Sequence, residues 1–176
     1  MFDFYHLALT QEGKSKNTFE FQVTLVDDDP LFLASLSDYL ESMGLPEPEK
    51  FSSGEALLSA LKPDDSRFII CDYDFGSSDR MTGLQVLEEL RRRSPKTPVV
   101  ILSSQDKLDV ALKTLRAGAV DYFIKGNEST FTTVLTSILK SNEIFRLKKD
   151  RKDLMVLATI GAIVFSLLLA VSFLYR

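Results

Sequence analysis

Four short apolar runs of this chain each end on a charged or hydroxyl residue: Val23–Val26 into Asp27, Asp28 and Asp29, Phe68–Cys71 into Asp72, Val99–Leu102 into Ser103, and Tyr122–Ile124 into Lys125. Laid side by side as parallel strands, the runs bring those side chains to one carboxyl edge, where open α/β sheets bind ligands. Three kinds of chemistry follow. A carboxylate cluster holds a hard cation, a lone carboxylate beside it serves as a nucleophile, and a hydroxyl with an ammonium grips a transferred phosphoryl group.

The elements that must position these groups alternate between strand and helix. Asp29-Pro30 places a cap and a first-turn proline before Leu31, Leu33, Leu36 and Leu40 at helical spacing, and Gly44 and Pro46 stop that helix. A short strand near Lys50-Phe51 leads through Ser52-Ser53 to a helix over 55–61, which Pro63 ends. Strand 67–72 precedes a loop over 73–82 and a helix over 84–93. Strand 99–103 precedes a helix over 107–117, and strand 121–125 a helix from about Glu128 to Phe145. Parallel neighbours need crossovers of this length, so the units predict an α/β fold with a doubly wound, five-stranded parallel sheet. The runs are apolar on both faces, as strands covered by helices should be.

Composition bounds the function. The 176 residues, 45% hydrophobic and 26% charged, suffice for one core and an appendage. A net charge of −4 argues against a nucleic-acid partner. The single cysteine, Cys71, lies inside an apolar run and reads as core. Residues 1–20 lack the features of a signal peptide and read as a leader, whose His6 is assigned no chemistry. From Leu154 to Tyr175 no residue is charged. As a helix that stretch spans about 33 Å, against a hydrocarbon core of roughly 30 Å, so one C-terminal transmembrane helix is expected. Arg146, Lys148, Lys149, Arg151 and Lys152 precede it and predict a cytoplasmic flank and contact with membrane lipid. Tyr175 and Arg176 suit the far interface, and the span shows no GxxxG pattern for dimerisation.

The strings VTLVDDDPLF, FIICDYD, TGLQVLEELR, TPVVILSS and AGAVDYFIKG resemble the receiver domain of bacterial two-component response regulators, over about Phe21 to Asn142. The resemblance implies a flavodoxin-like fold, Asp72 as phosphoacceptor, and Mg²⁺ held by Asp27, Asp28, Asp72 and the backbone carbonyl of Asp74. It further implies that Ser103 and Lys125 bind the phosphoryl group, with Ser103 and Tyr122 forming the switch. The donor would be a histidine kinase or phosphotransfer protein, and the phosphoprotein would signal to a downstream protein partner not identified by sequence. The physical reason for the cation is charge: a carboxylate repels a phosphodianion unless a divalent ion screens the approach. Ser103 gains a partner only once the phosphoryl group is present, which biases a two-state element.

Departures from the family pattern also stand in the sequence. The loop YDFGSSDRMTG is about two residues longer than is usual, Gly76 replaces a common proline, and Gly126 replaces the proline that often follows the lysine. Asp74 is expected to bring a fourth carboxylate near the phosphorylation point. The expected organisation is a leader at 1–20, a receiver at 21–142, a basic linker at 143–153 and a membrane helix at 154–175. The expected protein is a single-pass receiver on the cytoplasmic face of the bacterial inner membrane, without a DNA-binding output domain. It is no enzyme beyond its own phosphorylation and dephosphorylation. Two alternatives are a haloacid-dehalogenase-like phosphatase using Asp72 and Asp74, and a phosphorylation-independent membrane adaptor.

Overall fold

Asp29 starts the first helix by taking the Leu31 and Phe32 amides on its carboxylate, at 2.9 and 3.3 Å, with Pro30 filling a position that needs no donor. The computed structural model describes residues 19–62, 66–76, 80–126 and 128–174, the side chains of 128, 168–170 and 172–174 excepted. Residues 1–18 with His6, the helix-stopping Pro63, and Tyr175 and Arg176 lie outside the described residues.

The elements run β1 (Gln22–Val26), α1 (Pro30–Ser42), β2 (Glu49–Phe51), α2 (Gly54–Ala60), β3 (Arg67–Asp72), α3 (Gly83–Arg93), β4 (Val99–Ser103), α4 (Leu108–Arg116), β5 (Asp121–Ile124) and α5 (Glu128–Leu174). All strand pairs are parallel, in the order β2-β1-β3-β4-β5. The order reverses between β1 and β3, so a crevice opens where Asp27 and Asp72 end their strands. Each expected strand and helix is present within one or two residues, except that α5 continues well past Phe145.

Alternation along the strands splits the core between two faces. Val26, Ile69, Cys71, Val99 and Ile101 pack with Leu57 and Leu58 of α2 and Val86, Leu87 and Leu90 of α3. Val23, Leu25, Phe68, Ile70, Val100 and Leu102 are buried as well, as are Leu36 and Leu40 of α1 and Val134 and Ile138 of α5. Each such side chain contributes about 1.5–3 kcal/mol through burial. Thr82 caps α3 with a reciprocal box: its hydroxyl takes the Gln85 amide at 3.3 Å and the Gln85 side chain takes the Thr82 amide at 2.8 Å.

By its internal contacts the chain divides into two units, Met1–Leu139 and Lys140–Arg176. Along the second, Arg146, Lys148, Lys149, Arg151 and Lys152 are exposed, and so are Leu154, Met155, Leu157, Ile163 and Phe165. Among the described residues no helix is long and apolar enough to cross a membrane. The transmembrane helix expected from the sequence is therefore not shown.

Candidate functional site

Parallel register places the ends of β1, β3 and β4 side by side, with Val26 opposite Cys71 and Asp72 opposite Leu102. The residues that follow on β1 and β3 then converge. Asp27 and Asp72 are buried, Asp28 is exposed, and carboxylate oxygens of the three lie within 4.8 Å of one another. Lys125, just past β5, reaches across to Asp27 Oδ2 at 2.5 Å and Asp72 Oδ1 at 2.8 Å, and its nitrogen stands 4.6 Å from the centre of the Phe32 ring. The other oxygen of Asp27, Oδ1, accepts the Asp29 amide at 3.0 Å.

Electrostatics follow from this crowding. Burial raises the Asp72 carboxyl to about 6; its bond to Lys125 opposes the shift and the nearby Asp27 adds to it. Burial pulls the Lys125 ammonium down, but its bonds to Asp27 and Asp72 outweigh that and hold it above its ordinary range. Burial pushes the Cys71 thiol far up, so this side chain is core and not a nucleophile.

Ser103 and Tyr122 meet at a residue that carried no signal in the sequence. The Ser103 hydroxyl accepts the Gln105 amide at 3.1 Å and donates to the Gln105 carbonyl at 3.3 Å, and the Tyr122 hydroxyl donates to that carbonyl at 2.9 Å. In this arrangement the hydroxyl expected to grip a phosphoryl group is held by the loop after β4. The loop after β3 is anchored at both ends: Phe75 is buried in the core cluster, and the Met81 amide donates to Glu55 Oε1 at 2.7 Å. That bond lowers the Glu55 carboxyl below its ordinary value.

Asp74 and Gly76 of this loop take defined places. The Asp74 carboxylate is exposed, accepts the Gly76 amide at 3.2 Å and is not among the three carboxylates whose oxygens lie within 4.8 Å of one another. Gly76 has φ +67°, and a Cβ on it would sit 2.8 Å from Asp28 Oδ2. The glycine thus serves both the left-handed turn and the close approach of the loop to the acidic residues.

The donor set fits a hard divalent cation. It is all oxygen, with no nitrogen or sulfur, and the buried Asp27 Oδ2 makes no aligned hydrogen bond even though the Lys125 ammonium neighbours it. Lys125 and a cation would compete for the same two carboxylates. Lys125→Met is therefore expected to tighten Mg²⁺ binding about tenfold by removing a like charge from the site. Calorimetric titration checks this; weaker binding in the variant would contradict it.

Comparison with known proteins shows the family. The family model described as response regulator receiver domain matches residues 23–136. The response regulator protein TodT of Pseudomonas putida is 31% identical over 103 residues, covering 58% of this chain and 44% of TodT. The transcriptional regulatory protein MalR of Bacillus subtilis is 32% identical over 125 residues, 70% of this chain and 52% of MalR. The regulator of RpoS of Escherichia coli is 31% identical over 106 residues, 59% of this chain and 30% of that protein. The chain thus spans about a third to a half of the length of these relatives. Among solved structures, the receiver domain of NtrX from Brucella abortus aligns with TM-score 0.60 and 22% identity, over 68% of this chain and 98% of that one. A response regulator receiver protein from Pseudoalteromonas atlantica aligns with TM-score 0.58 and 23% identity, over 68% and 97%. A parallel α/β sheet carrying buried aspartates and a lysine at its switch point is the receiver class of signalling module. This chain belongs to the response regulator receiver domain family, whose members accept a phosphoryl group on an aspartate, bind Mg²⁺ through acidic residues and interact with histidine kinases or phosphotransfer proteins.

Proposed function

We propose that this chain is a membrane-tethered phosphorylation switch in which Asp72 accepts a phosphoryl group from a histidine kinase or phosphotransfer protein. The observation that carries the reading is the Lys125 ammonium set between Asp27 and Asp72 at the switch point of the sheet. An Asp72 oxygen attacks phosphorus in line; the O–P bond forms as the N–P bond to the donor imidazole breaks, and that bond's electron pair returns to the imidazole nitrogen. Asp27, Asp28 and Asp72, with the Asp74 carbonyl, would hold Mg²⁺, which screens the negative charges that the step brings together. Lys125 leaves its carboxylates to meet the new phosphoryl oxygens, and Ser103 leaves Gln105 to donate to them. Breaking the Ser103–Gln105 pair frees the loop to which Tyr122 is bonded, and a protein partner reads the result. The domain also catalyses its own phosphorylation from small donors and its own dephosphorylation.

Tethering rests on the sequence. The uncharged run from Leu154 to Tyr175 follows five basic residues, which favour anionic headgroups by about 1 kcal/mol each near a surface and keep the receiver on the cytoplasmic side of a bacterial inner membrane. The placement of the Asp74 carboxylate outside the cluster weighs against the phosphatase alternative, which needs it as a general acid beside Asp72.

The test uses the full chain, a small acyl-phosphate donor and Mg²⁺. The wild type becomes phosphorylated and Asp72→Asn does not; equal labelling of the variant would reject Asp72 as the acceptor. In cells the chain stays with membranes through alkaline carbonate washing, and its release would reject the tether.

A further inference from the structure

An ammonium has three N–H bonds, and Lys125 has three close neighbours: Asp27 Oδ2, Asp72 Oδ1 and the face of the Phe32 ring. The two carboxylates are the groups that a cation and a phosphoryl group would claim. The ring is neutral and competes with neither, so it is the contact that survives when the other two are taken. Its electron-rich face attracts a cation, more strongly where water is scarce, and the Lys125 side chain is only 13% exposed.

The ring is itself held in place. Phe32 is the third residue of α1, and its amide donates to the Asp29 cap, so the bond that starts the helix also fixes the backbone beneath the ring. Beyond Lys125, the ring meets Phe131 of α5 edge to face, at 5.7 Å between centroids and 74° between planes, and Phe131 meets Tyr39 of α1 at 5.6 Å. The half-buried ring thus meets both Phe131 and the Lys125 ammonium.

We propose that Phe32 is a positioning residue for phosphoryl transfer, its ring face keeping the Lys125 ammonium at the Asp72 carboxylate once metal and phosphoryl group have displaced it from its ion pairs. Leucine in its place fills similar space without an attractive face, and the ammonium, repelled by the metal, swings outward on its four-carbon stem. Tyrosine keeps the face. The inference rests on the reading of Asp72 as phosphoacceptor.

The experiment compares wild type, Phe32→Leu and Phe32→Tyr as full chains. In the metal-free proteins the Lys125 ε-methylene protons are shifted upfield by the ring in wild type and Phe32→Tyr, and return to ordinary values in Phe32→Leu. With saturating Mg²⁺ and a small acyl phosphate, Phe32→Leu requires about tenfold more donor for half-maximal rate, the size expected for a desolvated cation–ring contact, while Phe32→Tyr behaves as wild type. Unshifted methylene protons in wild type, an unchanged donor dependence in Phe32→Leu, or a defect that tyrosine does not rescue would each overturn the proposal. Phosphorylation persisting in Asp72→Asn would instead sink the phosphoacceptor reading, and the methylene shift would still report on the Phe32–Lys125 contact.

Discussion

Replacing Asp72 with asparagine should make the protein more stable at pH 7.5, by about 2 kcal/mol, while removing its capacity to be phosphorylated. Burial lifts this carboxyl from 3.8 to about 6, so the folded state holds its proton more tightly than the unfolded chain does. The sign follows from that ordering: the contribution of Asp72 to stability is fully present below pH 4, where both states are protonated, and is lost as pH rises through about 6. A shift of about two units corresponds to roughly 3 kcal/mol with the opposing Lys125 bond already included, and an amide, which does not fully reproduce a protonated carboxyl, recovers about 2 of it. Lys125 keeps Asp27 as a partner in the variant, so no buried cation is stranded. Denaturant unfolding of both full chains at pH 5 and 7.5, with divalent ions chelated, measures the effect. The wild type should lose stability across that interval and Asp72→Asn should lose less; a variant weaker than wild type at pH 7.5 would contradict the placement of Asp72 in a crowded anionic crevice. Adding Mg²⁺ should stabilise the wild type by about 2.7 kcal/mol at a hundred times the dissociation constant. The variant, lacking one of three carboxylates, should gain less.

The second large effect comes from a glycine with no unusual torsion. Gly83 opens α3, and its amide donates to the Tyr73 carbonyl at 2.8 Å. A Cβ there would lie 2.3 Å from the Asp72 carbonyl oxygen and 2.9 Å from Tyr73 Cα. Those are backbone atoms of the strand end that carries Asp72, and they have no rotamer through which to yield. Gly83→Ala should therefore cost about 3 kcal/mol, the top of the range for overpacking, and the strain should fall on Asp72 itself. Phosphorylation and Mg²⁺ binding should weaken with stability. Gly44→Ala supplies the contrast: at φ +87° it meets open space, so it should cost only about 1 kcal/mol of backbone strain and leave the site untouched. Thermal unfolding with Mg²⁺ titration separates the two; a Gly83→Ala protein with wild-type metal affinity would show that this contact does not hold Asp72 in place.

Much of this molecule was legible before its fold was seen, for reasons of local chemistry. The apolar strand runs, the Asp29-Pro30 start of α1 and the Ser53 cap of α2 are fixed by neighbours within a few residues, so the sequence can display them. Asp27, Asp72, Ser103 and Lys125 stood out because each terminates such a run. The loop after β3 was less readable: that Phe75 turns into the core while Asp74 turns to its own backbone depends on Glu55 and the sheet beside it. Gln105 and Phe32 were assigned no role from the sequence. One acts through its main chain, and the other looks like an ordinary helical core residue until the Lys125 nitrogen is found above its ring.

Residue order thus determined the α/β class, the parallel winding and the set of charged and hydroxyl groups at the strand ends, because hydrophobic period and capping act over short distances. Only the tertiary structure decided how those groups face one another: that Lys125 bridges Asp27 and Asp72, that Asp74 stands apart, and that Ser103 is held by Gln105. The reason is that electrostatic and hydrogen-bond partners are chosen by distance in space, and residues paired across neighbouring strands here are 21 to 45 positions apart in the chain.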